Sequence, residues 1–151
     1  MGFSPLGLVV ALAVLAPNLL LVRWPPREPL PEARVPRLLT WLERAGQALC
    51  LVVPVITRPG ELVGWWSIPV FVAIAAYNGL WVRYLRTGRA GASLYRPWWG
   101  VPVPMAVLPV VAFLATAGWL SNPWIAVAAV ILAAGHIPAA DIIARTLRAR
   151  R

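Results

Sequence analysis

Residues 3–22 read FSPLGLVVALAVLAPNLLLV, and none of these twenty side chains carries a charge. At 1.5 Å of rise per residue, a helix of this length covers the roughly 30 Å hydrocarbon core of a bilayer. No basic segment precedes the stretch and no small-residue cleavage pattern follows it, so we expect a retained helix and not a signal peptide. The opening stretch therefore predicts an integral membrane protein.

The composition of the whole chain leads to the same class of protein. Of its 151 residues, 60% are hydrophobic and only 13% are charged, with a mean hydropathy of +0.73, whereas soluble domains average about 25% charged residues. Five stretches are long and apolar enough to cross a membrane, and they are apolar at odd and even positions alike, which excludes a transmembrane barrel. We expect an all-α bundle of five transmembrane helices forming one domain over residues 1–151. The predicted spans are 3–22, 38–56, 62–82, 101–120 and 124–143.

The basic residues are distributed unequally between the two sides of the predicted bundle. All fourteen are arginines, the net charge is +9, and twelve of them flank the first loop, the third loop and the C-terminal tail. By the positive-inside rule this predicts an outside N-terminus and a cytoplasmic C-terminus in a bacterial cytoplasmic membrane. Anionic lipid on the cytoplasmic side, and not nucleic acid, is the expected partner. The twelve are Arg23, Arg27, Arg34, Arg37, Arg83, Arg86, Arg89, Arg96, Arg145, Arg148, Arg150 and Arg151.

The single cysteine, Cys50, lies inside an apolar run. One cysteine cannot form an intramolecular disulfide, a CxxC redox motif or a cysteine-based zinc site, so these chemistries are excluded. We expect a protein without a metal ion or a cofactor.

Polar residues inside the spans lie near the arginine-rich side. Two are acids, Glu43 and Asp141, and a charged acid in a span costs about 2.5–3.5 kcal/mol, so each needs a partner or a hydrated pocket. Glu43 could pair with Arg83 or Arg44, and Asp141 with Arg145 four residues later; the alternative is a shared polar pocket that faces the cytoplasm. Other candidate pocket residues are Asn18, Trp41, Gln47, Tyr77, Asn78, Trp81, Tyr84 and His136.

Helical spacing sorts these candidates by face. Glu43 and Gln47 lie four residues apart and share a face, and residues 77, 81 and 84 form an aromatic stripe on the third helix. His136 and Asp141 are five residues apart and converge only if Pro138 kinks the last helix. A single membrane histidine is also commonly a hydrogen-bonding residue between helices.

Four short segments carry a resemblance to known proteins. Residues 43–47 (ERAGQ), 81–84 (WVRY), 101–105 (VPVPM) and 135–137 (GHI) together resemble a group of small bacterial integral-membrane proteins. A weaker similarity is to the integral-membrane terpene cyclases, which are small, all-helical and without metal-binding Asp-rich motifs. These enzymes are proposed to use one acid in an early helix and one in the last helix. Glu43 and Asp141 match those positions in order and placement, although this chain has five spans where the fungal enzymes have seven.

The resemblance implies a metal-independent terpene cyclase or isomerase. Glu43 and Asp141 would be its catalytic acids, protonating an alkene or epoxide of a lipophilic prenyl substrate. The other eight candidates would bind the substrate, with aromatic faces stabilising the carbocation. Two alternatives stay open: a binding or transport protein with a cytoplasm-facing pocket, and a non-catalytic membrane subunit in which every acid is paired. The sequence leaves the oligomeric state open.

Overall fold

The computed structural model describes residues 2–30 and 32–149, which fold into a helical bundle without strands. The predicted all-helical class is confirmed; the described residues form five helices, of which four are long and apolar enough to cross a membrane. In chain order they are α1 (Pro5–Arg23), α2 (Arg37–Ile56), α3 (Ser67–Arg86), α4 (Pro104–Trp119) and α5 (Pro123–Ala149). A 3-10 turn, Ala16–Leu19, interrupts α1.

The helices differ in length from the five predicted spans. α1, α2, α5 and α3 with its 3-10 lead-in are long and apolar enough to cross a membrane, whereas α4 has only 16 residues. It begins at Pro104 and not at residue 101, because a residue that precedes a proline disfavours the helical conformation and two prolines, Pro102 and Pro104, follow each other closely. α5 is longer than predicted and continues to Ala149 through Pro138.

The five helices pack in the order α1, α2, α5, α4 and α3, each against the next. α1 also contacts α4 and, less extensively, α3. The most extensive contact joins α2 to α5, where a Cβ atom at Gly46 would fall on the backbone of Leu132 and one at Gly135 on the backbone of Glu43. Small residues permit such close packing between membrane helices. This contact places residue 43 beside residue 136.

The outer surface of the bundle is apolar. Large side chains such as Val9, Phe71, Leu114 and Val130 are exposed on different helices. A soluble protein rarely exposes an apolar area of this extent. The surface is that of a membrane protein.

The two ends of the bundle differ in charge. At one end the first residues of α1 meet the end of α2, with Ser4 N donating to Val55 O at 2.9 Å. The other end, here called the arginine-rich end, consists of residues 23–30, 32–37, 83–103 and 145–149. At that end residues 87–103 are folded: Gly91–Tyr95 is a 3-10 turn, Leu94 is buried, and Arg27 N donates to Arg89 O at 3.2 Å.

Candidate functional site

A carboxyl–imidazole pair joins α2 to α5. Oε1 of Glu43 lies 2.7 Å from Nδ1 of His136, so a hydrogen bond joins the two groups, and each side chain is about one quarter exposed (26% and 25%). Glu43 therefore pairs with neither Arg83 nor Arg44. Because Nδ1 is engaged, Nε2 of the imidazole is the ring atom left for a second hydrogen bond.

This pair forms part of the wall of a cavity at the arginine-rich end. The cavity has a volume of about 140 Å³, and all five helices and the 87–103 segment contribute to its lining. A cavity of roughly 150 Å³ accommodates benzene in another protein, so this one has room for a single six-membered ring. Five of the ten predicted site residues line it: Asn18, Glu43, Tyr77, Trp81 and His136.

Asn18 and Tyr77 close the side of the cavity next to α1. The hydroxyl of Tyr77 donates to Oδ1 of Asn18 at 3.0 Å. Asn18 reaches this position from the 3-10 turn Ala16–Leu19, none of whose residues is buried. The wall at this point is therefore thin, and one hydrogen bond connects it to α3.

The aromatic stripe on α3 is buried, as the helical spacing suggests. Tyr77, Trp81 and Tyr84 are 3%, 3% and 0% exposed, and each neighbouring pair of rings packs edge to face. Only Tyr77 and Trp81 reach the cavity. Tyr84 instead donates its hydroxyl hydrogen to Trp24 O at 2.8 Å and anchors the loop after α1.

Trp81 has an unusual indole group. Its Nε1 is buried and has no hydrogen-bond partner among the described residues. The hydroxyl of Tyr77 lies beside the Trp81 side chain but does not meet hydrogen-bonding geometry with it. This nitrogen has almost no accessible surface, so the part of Trp81 that lines the cavity is the carbon surface of its ring.

Tyr95 is a cavity residue that the sequence did not single out. It lies in the 3-10 turn of the third loop, and burial raises the pKa of its hydroxyl, with a further rise from the nearby Glu43 carboxylate. Both effects disfavour the phenolate, so Tyr95 stays neutral and can donate a hydrogen bond at physiological pH. The third loop contains Gly88, Gly91 and Ser93, which favoured a mobile segment; the adjacent apolar residues Leu94 and Tyr95 were the signal that it folds inward.

Asp141 does not join this site. Its carboxylate accepts a hydrogen bond from Nε of Arg145, four residues along α5, at 2.8 Å, and Nη2 of the same arginine lies 2.8 Å from the same oxygen in an ion pair. Glu43 and Asp141 therefore do not converge. Of the two alternatives for Asp141, the structure has the ion pair with Arg145 and not the shared pocket. The reason is geometric: α5 continues through Pro138, and five residues correspond to about 140° around a helix, which turns Asp141 away from His136.

Three other predicted residues lie elsewhere. Trp41 is 69% exposed on the outside of α2. The amide of Asn78 donates to Ile74 O at 2.9 Å within its own helix. Gln47 lines a smaller neighbouring cavity of about 30 Å³, which shares His136 with the first.

Comparisons with protein-family models, with curated proteins and with solved structures found no match to this chain. The resemblance to small bacterial membrane proteins and to terpene cyclases therefore remains an interpretation of short segments. The cavity is the structural feature that bears on function.

Proposed function

We propose that this chain is an integral membrane protein that binds a small lipophilic molecule in the cavity at the arginine-rich end. The Glu43–His136 pair in the cavity wall is the observation that carries the proposal. Ionisable groups inside membrane helices are unfavourable, and they commonly mark ligand or proton pathways. Mainly apolar cavities with a few convergent polar groups are typical binding sites for small molecules.

The orientation proposed for this site follows from the arginines. The cavity lies at the arginine-rich end of the bundle. The positive-inside rule assigns that end to the cytoplasm. The N-terminus is then outside and the C-terminus inside. Anionic lipid headgroups are the proposed partners of these segments, and a ligand would reach the cavity from the inner leaflet.

The cavity favours a binding protein over a purely structural subunit. In a subunit whose acids serve only to join helices, the Glu43–His136 pair would be sufficient and the space beside it would be filled. Here the space beside the pair is open. The open space supports a binding protein.

Acid-catalysed cyclisation or isomerisation is the second candidate function. It is favoured by the position of Glu43 in the same cavity as the aromatic side chains of Tyr77, Trp81 and Tyr95, because aromatic faces stabilise carbocations. The proposal now rests on Glu43 with His136, since Asp141 pairs with Arg145 outside the cavity. A cavity of ring size would hold only the reacting end of a prenyl chain.

Filling the cavity tests the binding proposal. Ala139 lines the cavity and is 3% exposed, whereas Ala134 on the same helix is exposed. Wild type, Ala139→Leu and Ala134→Leu are purified from membranes, extracted with organic solvent and analysed by mass spectrometry. We expect one lipophilic compound near equimolar amount in wild type and Ala134→Leu, and its loss in Ala139→Leu. Equal lipid content in all three proteins would contradict the proposal.

A further inference from the structure

We infer that a cleft between the third loop and α5 binds the phosphate group of one anionic phospholipid, and that this lipid holds the third loop in place as a wall of the ligand cavity. The lipid site is separate from the cavity. Its effect on the ligand rests on the proposed function, because it assumes that the cavity binds a ligand. The inference adds a defined lipid site and a way in which membrane composition would control the cavity.

The cleft is small and lies at the arginine-rich end. Residues 92 and 95–97 of the third loop form one side, residues 144, 147 and 148 of α5 form the other, and its volume is about 60 Å³. A single water molecule needs roughly 10–15 Å³ of such space, so the cleft has room for a phosphate-sized group but not for an acyl chain. The chains of a bound lipid would therefore lie outside it, along the surface of the bundle.

The charge of the cleft is positive. Arg96 and Arg148 border it from its two sides, both are exposed, and no acid is among its described lining residues. Neither arginine takes part in an ion pair within the described part of the chain. Arg83 adds a third charge, since it lies close enough to Arg96 for the two to repel each other. Arginines held together in this way favour an anion, and the guanidinium group matches the geometry of a phosphate.

Two tryptophans place the cleft at the level of lipid headgroups. Trp98 and Trp99 follow Arg96 after one proline, their rings stack at 4.9 Å, and Trp99 is 88% exposed. The φ angle of Trp99 is +48°, which a bulky residue rarely adopts, and two hydrogen bonds between Trp98 and Val101 enclose it in a turn. Tryptophan is enriched at membrane interfaces, so the phosphate that reaches this cleft is that of a lipid. A zwitterionic headgroup would bring its own cation towards the arginines, which favours an anionic one.

Tyr95 connects the two sites, because it lines both the cleft and the ligand cavity. The same loop is attached to α3 where Nη2 of Arg83 donates to Ser93 O at 3.1 Å. A phosphate that bridges Arg96 and Arg148 would attach the loop to α5 as well, and would keep Tyr95 in the cavity wall. Without the phosphate, repulsion between the arginines opposes that position.

Fluorine NMR tests the lipid site. The chain has three tyrosines, so labelling with 3-fluorotyrosine gives three resonances, and that of Tyr95 is identified by its loss in Tyr95→Phe. The labelled protein is placed in phosphatidylcholine nanodiscs that contain increasing fractions of phosphatidylglycerol. We expect the Tyr95 resonance to shift and to saturate as phosphatidylglycerol increases. Arg96→Gln and Arg148→Gln should each weaken this response about fivefold, the effect of one arginine near anionic lipid.

Arg86→Gln is the control, because Arg86 is exposed at the same end and does not line the cleft; it should respond as wild type does. A Tyr95 resonance that is insensitive to phosphatidylglycerol would overturn the lipid site. Equal weakening in all three arginine variants would also overturn it, since diffuse surface charge would then explain the response. Inorganic phosphate is added to nanodiscs of phosphatidylcholine alone, and the same shift there would replace the lipid by a soluble anion.

The effect on the ligand is measured separately, by mass spectrometry of the compound retained in nanodiscs of each composition. We expect wild type and Arg86→Gln to retain more of it with phosphatidylglycerol than without, and Arg96→Gln to show no such gain. Equal retention by wild type in both membranes would overturn the coupling between the sites. If wild type retains no compound in either membrane, the proposed function fails and the coupling with it, whereas the Tyr95 response still decides the lipid site.

Discussion

Two acidic side chains inside the helices differ in how their charge is compensated. Glu43 forms a hydrogen bond with His136 across the α2–α5 contact, with about three quarters of each side chain buried. Asp141 pairs with Arg145 on the surface of one helix, and the arginine is 76% exposed. The Glu43–His136 pair connects two helices and borders the cavity, whereas the Asp141–Arg145 pair lies within one helix and outside the cavity. Removing one pair should therefore have different consequences from removing the other.

The Glu43–His136 pair should be energetically coupled. In a double-mutant cycle of Glu43→Ala and His136→Ala, we expect a coupling free energy of about 1–3 kcal/mol, because the two groups are in direct contact and partly shielded from solvent. Unfolding by sodium dodecyl sulfate in mixed micelles measures it. Additive effects within about 0.5 kcal/mol would show that the pair does not contribute to stability.

Asp141→Asn should be nearly silent. An exposed pair four residues apart on a helix contributes little, so we expect a stability change below about 0.5 kcal/mol and unchanged content of bound ligand. Glu43→Gln is the matched acid variant, and it should lose bound ligand because it removes the ionisable group that contacts His136 in the cavity wall. If the two variants lost ligand equally, the assignment of Asp141 to the outside of the site would be wrong.

At the scale of the elements, the site depends on how closely α2 approaches α5. Gly46 and Gly135 leave no room for a Cβ atom at this contact. His136 is the next residue after Gly135, so any separation of the two helices would move its imidazole away from Glu43. The two glycines therefore act on the site through backbone position.

Gly135→Ala should destabilise the protein and weaken the site together. The added methyl group meets the backbone of Glu43, and such overpacking costs about 1–3 kcal/mol. Gly79→Ala on α3 is the control, because nothing lies within 4 Å of the added atom, and it should be neutral or stabilising by up to about 1 kcal/mol. Thermal unfolding in detergent and ligand content measure both effects. A Gly135→Ala variant as stable and as loaded as Gly79→Ala would contradict the close contact.

Local sequence patterns predicted what depends on local structure. Hydropathy predicted the helices, and spacing along α3 predicted the common face of Tyr77, Trp81 and Tyr84. The partner of Glu43 could not be predicted in this way, because it depends on which helices are neighbours in the bundle. A local sequence pattern does not determine that arrangement. Tyr95 was missed for a similar reason. Its loop has the glycine content of a mobile segment, and only the packing of that loop against α3, α4 and α5 shows that Tyr95 lies in the cavity wall.

At the scale of the whole molecule, charge and polarity are concentrated at one end. The cavity, the Glu43–His136 pair and most of the described arginines lie there, whereas the opposite end has Arg58 and a small hydrogen-bond network in which Nδ2 of Asn122 donates to Oγ1 of Thr57 at 2.7 Å. This polarity makes the orientation in the membrane a property that can be measured.

The C-terminus should be cytoplasmic. A C-terminal fusion to alkaline phosphatase is expected to be inactive, because that enzyme requires disulfides that form outside the cytoplasm, while a fusion to green fluorescent protein should be fluorescent. The proposed orientation follows from the arginine distribution. An active phosphatase fusion would reverse it and would place the cavity at the outer leaflet.

A crystal structure of the protein purified with its native lipids tests the central claim most directly. We expect density for a ring-sized group in the cavity of about 140 Å³, with the Glu43–His136 pair alongside. A cavity that has collapsed onto itself, with Tyr95 or Met105 filling the space, would contradict a ligand site.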